Sequence, residues 1–104
     1  MAQTFDFEWD VRKALSNLRK HGVSFEQAAQ VFLDPLAVTV YDDVHAVNEE
    51  RWLTLGQNKT GELIVVAHTY LATGSNNALI RIISARFATR QERRLQAVED
   101  FFGL

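Results

Sequence analysis

Polar and aromatic residues alternate along Thr4, Phe5, Asp6, Phe7, Glu8 and Trp9, the period of a strand with one buried face. The period then changes. Val11, Ala14, Leu15 and Leu18 follow i, i+3, i+4 and i+7, which predicts an amphipathic helix. Asp10 is placed to cap it, Lys20 and His21 fall in its last turn, and Gly22 suits the left-handed position after it. Ser24 and Gln27 predict a capping box for a second helix, with Phe25, Ala28, Ala29 and Phe32 as its apolar stripe. Asp34-Pro35 stops that helix.

From here the pattern is that of strands. Residues 36–41 are apolar and β-branched, 51–57 alternate, 58–61 read as a hairpin turn, and 63–71 form a strong strand. A Gly/Ser/Asn loop over 72–77 precedes the last strand, 79–87. Thr89 and Glu92 make another capping box, opening a C-terminal helix with Leu95, Val98 and Phe102 on one side. The order β-α-α-β-β-β-β-α predicts one α+β domain over 1–104, with helices on a mostly antiparallel sheet.

Composition narrows the chemistry. With no cysteine there is no disulfide, thiolate zinc site or cysteine nucleophile, and a small chain without disulfides suits a reducing cytoplasm. The N-terminus lacks the basic region and apolar core of a signal peptide, and runs such as LIVVA at 63–67 are too short to cross a bilayer. The expectation is a cytoplasmic protein with no membrane association. The net charge of −2 hides an asymmetry: residues 1–50 hold nine acids and four bases, and 51–104 hold seven bases and four acids. Five of the eleven bases, all arginine, fall in RIISARFATRQERR at 81–94.

Arg90, Arg93 and Arg94 share one stripe of the predicted C-terminal helix, and Arg86 ends the strand before it. Strand end, helix cap and first turn could together hold a phosphate, for which the forked guanidinium is better suited than an ammonium. They could equally form a solvated face whose arginines pair with acids of the 34–50 segment. Arg81 is harder to explain as solvated surface. In a regular strand Arg81, Ile83 and Ala85 share one face and Ile82, Ser84 and Arg86 the other, so an arginine sits among isoleucines.

The same stretch carries a family resemblance. IRIISAR at 80–86, AT at 88–89 and ERR at 92–94 resemble the C-terminal signature of BrnT-type toxins. FEWD at 7–10, KHGVSFEQA at 20–28, Asp34-Pro35, Glu50-Arg51 and Gly56 extend the resemblance over nearly the whole chain. It implies a RelE-like ribonuclease fold and a toxin of a bacterial type II toxin–antitoxin pair. It also implies inhibition by a ribbon-helix-helix antitoxin, through which alone operator DNA is bound, and possible higher-order toxin–antitoxin assembly. This chain differs from the family pattern in Val11, where members often have proline, and in Leu95-Gln96, where a tyrosine is common.

Metal-independent RNA cleavage, with no cofactor, needs a base for the 2′-hydroxyl, a cation for the phosphorane and an acid for the 5′-oxygen. Arg51, Arg81 and Arg86 are candidate cations, and Arg90, Arg93 and Arg94 candidate contacts to flanking RNA or to the antitoxin. His45, in the acidic loop before Arg51, is the candidate acid or base, and a solvent-exposed loop histidine is the alternative. His68 reads as a packed strand histidine and His21 as a helix-terminal cation. Asp42, Asp43 and His45 are too few to specify a metal site. A rival function is a non-catalytic protein that binds an antitoxin and modulates operator binding.

Overall fold

The computed structural model describes residues 3–46 and 49–94. Strand β1 (Thr4–Glu8) leads into helix α1 (Val11–His21), helix α2 (Phe25–Gln30) and a 3-10 turn (Val31–Leu33). Strands β2 (Val38–Tyr41), β3 (Trp52–Gln57), β4 (Leu63–His68), β5 (Leu71–Ala72) and β6 (Asn77–Phe87) follow. Residues 90–94 are helical, and the expected stripe of Leu95, Val98 and Phe102 lies outside the described residues. The α+β class and the order of elements match the periodicities. One predicted strand, 63–71, is interrupted at Thr69-Tyr70, so its end forms the separate β5.

The strands form one sheet in the order β1-β6-β4-β3-β2, with β5 also on β6, and only the β1–β6 pair is parallel. Helices α1 and α2 cover one face. Phe25, Ala28 and Val31 pack there on Ile64, Val66, Ile80, Ile82 and Ala85. Phe5, Phe7 and Phe32 join them, with ring centroids 5.5 to 6.3 Å apart. Residue 56 must be glycine because the 3-10 turn crosses β3 there: a Cβ would lie 2.8 Å from Val31 Cγ1.

Local signals behave as read. Asp10 Oδ1 accepts from the Arg12 and Lys13 amides, Gly22 takes φ +72°, and Ser24 and Gln27 close a capping box. The apolar stripe of α1 does not. Ala14 packs on the core, but Val11, Leu15 and Leu18 are 67, 56 and 46% exposed, and the buried residue of α1 is Asn17. The reason lies in the sheet. Strand β1 pairs with β6 only as far as Glu8 opposite Arg81, so beyond that point no strand among the described residues lies beside the β6 edge. Asn17 takes the vacant place. Its Nδ2 donates to the carbonyls of Ala85 (2.8 Å) and Val23 (3.0 Å), and its Oδ1 accepts from the Ala85 amide at 3.0 Å. Bringing this amide inward turns the leucine stripe outward.

Strand β6 also departs from regular alternation. Its register with β4 runs Val66↔Ala85, Ala67↔Ser84, then His68↔Ile82, which leaves Ile83 as the extra residue of a bulge. Ala78, Ile80, Ile82 and Ala85 therefore all face the helices. The expected separation of Arg81 from Arg86 is corrected: the bulge puts Arg81, Ser84 and Arg86 together on the helix-free face.

His68 belongs to the core. Its Nδ1–H donates to the Thr69 carbonyl (2.9 Å), so Nε2 accepts from the Thr54 hydroxyl (2.7 Å), and Thr54 in turn accepts from Thr39 at 2.8 Å. The Phe32 ring meets the imidazole edge-on at 4.8 Å. Burial pushes the His68 pKa below its ordinary 6.5, opposed by the Thr69 carbonyl.

Two stability measurements check these assignments. Asn17→Ala strips partners from the Ala85 N–H and the two carbonyls and should cost about 2–4 kcal/mol. Leu15→Ala, at an exposed position, should cost no more than about 0.5 kcal/mol. Denaturant melts that rank Leu15 above Asn17 would overturn the reading of α1. For His68 the sign follows from proton uptake. Below pH 6.5 the unfolded chain binds more protons than the folded one, so wild-type stability should fall as pH drops through that value. In His68→Ala that portion of the pH dependence should vanish, on a baseline already lowered by the cavity and the orphaned Thr54 hydroxyl.

Candidate active site

The face of the sheet opposite α2 carries a cleft of roughly 280 Å³ whose wall includes His21 at the end of α1, Asp42, His45, Arg51, Ser84 and Arg86. Arg51 also lines a neighbouring cleft of roughly 390 Å³ with Arg81, Lys13, Asp10 and Glu49. A third, smaller depression joins them through Lys13, His21 and Ser84, and adds Lys20. The three meet at the β6 bulge, around Ile83 and Ser84. Lys13, Lys20, Arg51, Arg81 and Arg86 thus ring one locality of a chain whose net charge is negative.

The loop between β2 and β3 builds one wall. The Asp42 amide donates to the Arg51 carbonyl (2.8 Å), which closes the base of the loop. The Asp42 carboxylate is buried and accepts from His45 Nδ1 at 3.0 and 3.1 Å. A carboxylate can only accept, so the hydrogen is on Nδ1 and Nε2 is left open toward solvent. Arg51 Nε lies 3.5 Å from the same carboxylate, an ion pair without hydrogen-bond geometry. One buried acid therefore holds an imidazole and a guanidinium side by side. Among the described residues, no three His, Asp or Glu side chains are grouped to hold a metal ion.

The other arginines are occupied. Arg81 is hydrogen-bonded to Glu49 of the same loop, and both side chains are about half exposed. Arg86 makes a two-pronged contact with Glu92, Nη1 to Oε1 at 2.7 Å and Nη2 to Oε2 at 2.9 Å. Glu92 also accepts from the Thr89 amide at 2.8 Å and receives the capping-box return, its own amide donating to Thr89 Oγ1. Hydrogen bonding from Arg86, and then from Thr89, holds the Glu92 carboxyl down at about 2 and raises the Arg86 guanidinium in return. The anion site expected where strand meets helix is therefore filled by the protein's own carboxylate. Arg86 acts there as a latch between β6 and the helix that follows.

The four proposed catalytic residues lie on one face in two adjoining clefts. His45, Arg51 and Arg86 share the first, while Arg51 and Arg81 share the second. Arg90, Arg93 and Arg94 are exposed on the helical residues 90–94 and line none of the three clefts. Sequence reasoning passed over Lys13 and assigned Lys20 and His21 to the end of the first helix, not to a site. A signal was present, since Lys13 and Lys20 are seven apart on a helix with no acid.

A family model described as the ribonuclease toxin BrnT of type II toxin–antitoxin systems matches residues 9–92. The fold is similar to the crystal structure of the Brucella abortus ribonuclease toxin BrnT, with a TM-score of 0.57, 23% identity, and coverage of 86% of this chain and 100% of that one. No curated protein gives a significant match. The family match runs from Trp9, just after β1, through the Glu92 latch and takes in all four clefted residues; this chain belongs to the BrnT family of ribonuclease toxins of type II toxin–antitoxin systems.

Proposed function

We propose that this chain is an active, metal-independent endoribonuclease that arrests translation in the bacterial cytoplasm until a ribbon-helix-helix antitoxin neutralises it. The observation that carries the reading is the buried Asp42 shared by His45 and Arg51 at the meeting point of the basic clefts. Asp42 fixes the His45 tautomer so that Nε2 can take the 2′-hydroxyl proton or give one to the 5′-oxygen. His21, on the same cleft wall, is the complementary proton carrier. Arg51 is the principal cation for the phosphorane, because its ion pair with Asp42 lacks a hydrogen bond, whereas Arg81 and Arg86 are hydrogen-bonded to Glu49 and Glu92. Arg81 engages the phosphate by exchanging Glu49 for it, an inexpensive exchange for a half-exposed pair. Lys13 and Lys20 hold the flanking strand, and Arg90, Arg93 and Arg94 meet further phosphates or antitoxin carboxylates. Operator DNA is contacted only through the antitoxin, and higher-order assemblies form on that platform.

Expression of the chain alone should stop growth and protein synthesis, and co-expression of its antitoxin should restore both. Normal growth at good soluble yield would instead favour a non-catalytic antitoxin-binding protein.

Purified protein freed of antitoxin should cleave RNA in the presence of EDTA. Arg51→Ala should lower the rate about a hundredfold or more, as loss of a transition-state donor does. Lys20→Ala should mainly weaken binding and reduce its salt dependence by at most about one unit of slope. His45→Ala and His21→Ala should each remove one limb of the pH–rate profile, with melting curves close to wild type. An unchanged profile in His45→Ala would take that residue out of the mechanism.

A further inference from the structure

Helix α1 has a second use beyond the RNA clefts. At 100° per residue, Val11, Leu15 and Leu18 fall within one narrow stripe, and Gly22 continues it. The Phe87 ring lies beside Gly22 and is itself 38% exposed. The result is an apolar ridge of four exposed side chains, the helical part about 10 Å long. Going round the helix from the ridge, Arg12 and Arg19 come next, then Ser16, then Lys13 and Lys20 at the clefts. The helix contains no acid.

We infer that this ridge is the docking surface for an acidic amphipathic helix of the antitoxin, an inference that rests on the toxin–antitoxin reading above. Aliphatic side chains seven residues apart fit the apolar stripe of another helix, and Val11, Leu15 and Leu18, three of the four ridge side chains, offer no ring on which a base could stack. The flanking Arg12 and Arg19 select a partner with carboxylates beside its apolar stripe. They also disfavour a second copy of this chain. A twofold pairing of α1 with itself would set arginine against arginine, with no acid on the helix to relieve it. Because Asn17 fixes the rotation of α1, the ridge is held outward before any partner arrives. An antitoxin helix seated there lies on the opposite flank of α1 from Lys13 and Lys20, so docking and RNA binding use separate residues.

The test uses the full chain and the protein product of the adjacent reading frame, measuring affinity, RNA cleavage and melting temperature on the same preparations. Leu15→Glu should lose roughly a hundredfold in affinity, as central interface positions do, with cleavage and melting unchanged. Leu15→Ser provides a milder variant in case the charge disturbs folding, and should lose about tenfold. Arg12→Glu with Arg19→Glu should weaken binding and flatten its salt dependence. Leu15→Glu affinity within threefold of wild type would overturn the inference. So would a wild-type chain that fails to bind that product, a Leu15→Glu effect confined to self-association, or one confined to RNA binding. Wild-type binding without any cleavage would sink the ribonuclease reading alone and leave the ridge standing.

Discussion

The arrangement of the molecule turns on one buried amide. Where β1 ends, β6 continues for six residues with an unpaired edge, and Asn17 meets that edge at Ala85 with both a donor and an acceptor. A buried backbone pair left without partners would cost several kcal/mol in a domain whose total stability is of the order of 10 kcal/mol. The helix must therefore be held at one rotation and one height. Its lysines then face the clefts, its leucines face outward, and Gly22 is brought against Phe87.

The bulge at Ile83 depends on the same region. It changes the phase of β6 so that Ala85 can enter the core beneath Asn17, and it brings Ser84 and Arg86 to the face that already carries Arg81. A regular strand would have buried one arginine or exposed one isoleucine. The shift in register thus converts a core strand into the floor of a basic cleft, which is a common use of bulges beside functional sites.

Three carboxylates and the cleft arginines form one device. Asp42, Glu49 and Glu92 each contact an arginine of the clefts, through pairs that differ in strength. Arg81 with Glu49 is open to water and easily exchanged. Arg86 with Glu92 is forked, partly buried and tied to a helix cap, so it persists until the pH falls from 4.5 toward about 2, where Glu92 protonates. On the proposed reading, Glu49 holds the place that a phosphate takes at Arg81, while Asp42 and Glu92 stay in position, and together the three keep an otherwise repulsive cluster stable in the absence of RNA.

The sequence by itself determined the elements and most of their ends, because caps, glycines and period are local matters: Asp10, Gly22, Ser24-Gln27 and Thr89-Glu92 all act within a few residues of themselves. It also carried the family, through ordered blocks from FEWD to ERR. It did not determine which face of α1 is buried. The periodicity pointed to Val11, Leu15 and Leu18, and the unpaired edge of β6, sixty-eight residues from Asn17, overrode it. Nor did it show that Arg81 and Arg86 share a face, since one extra residue in a strand is visible only against its partner strand. The meeting of Asp42, His45 and Arg51 with His21 likewise needed the sheet. A hydrogen bond or a cleft between distant segments depends on register and packing, and these are properties of the assembled chain.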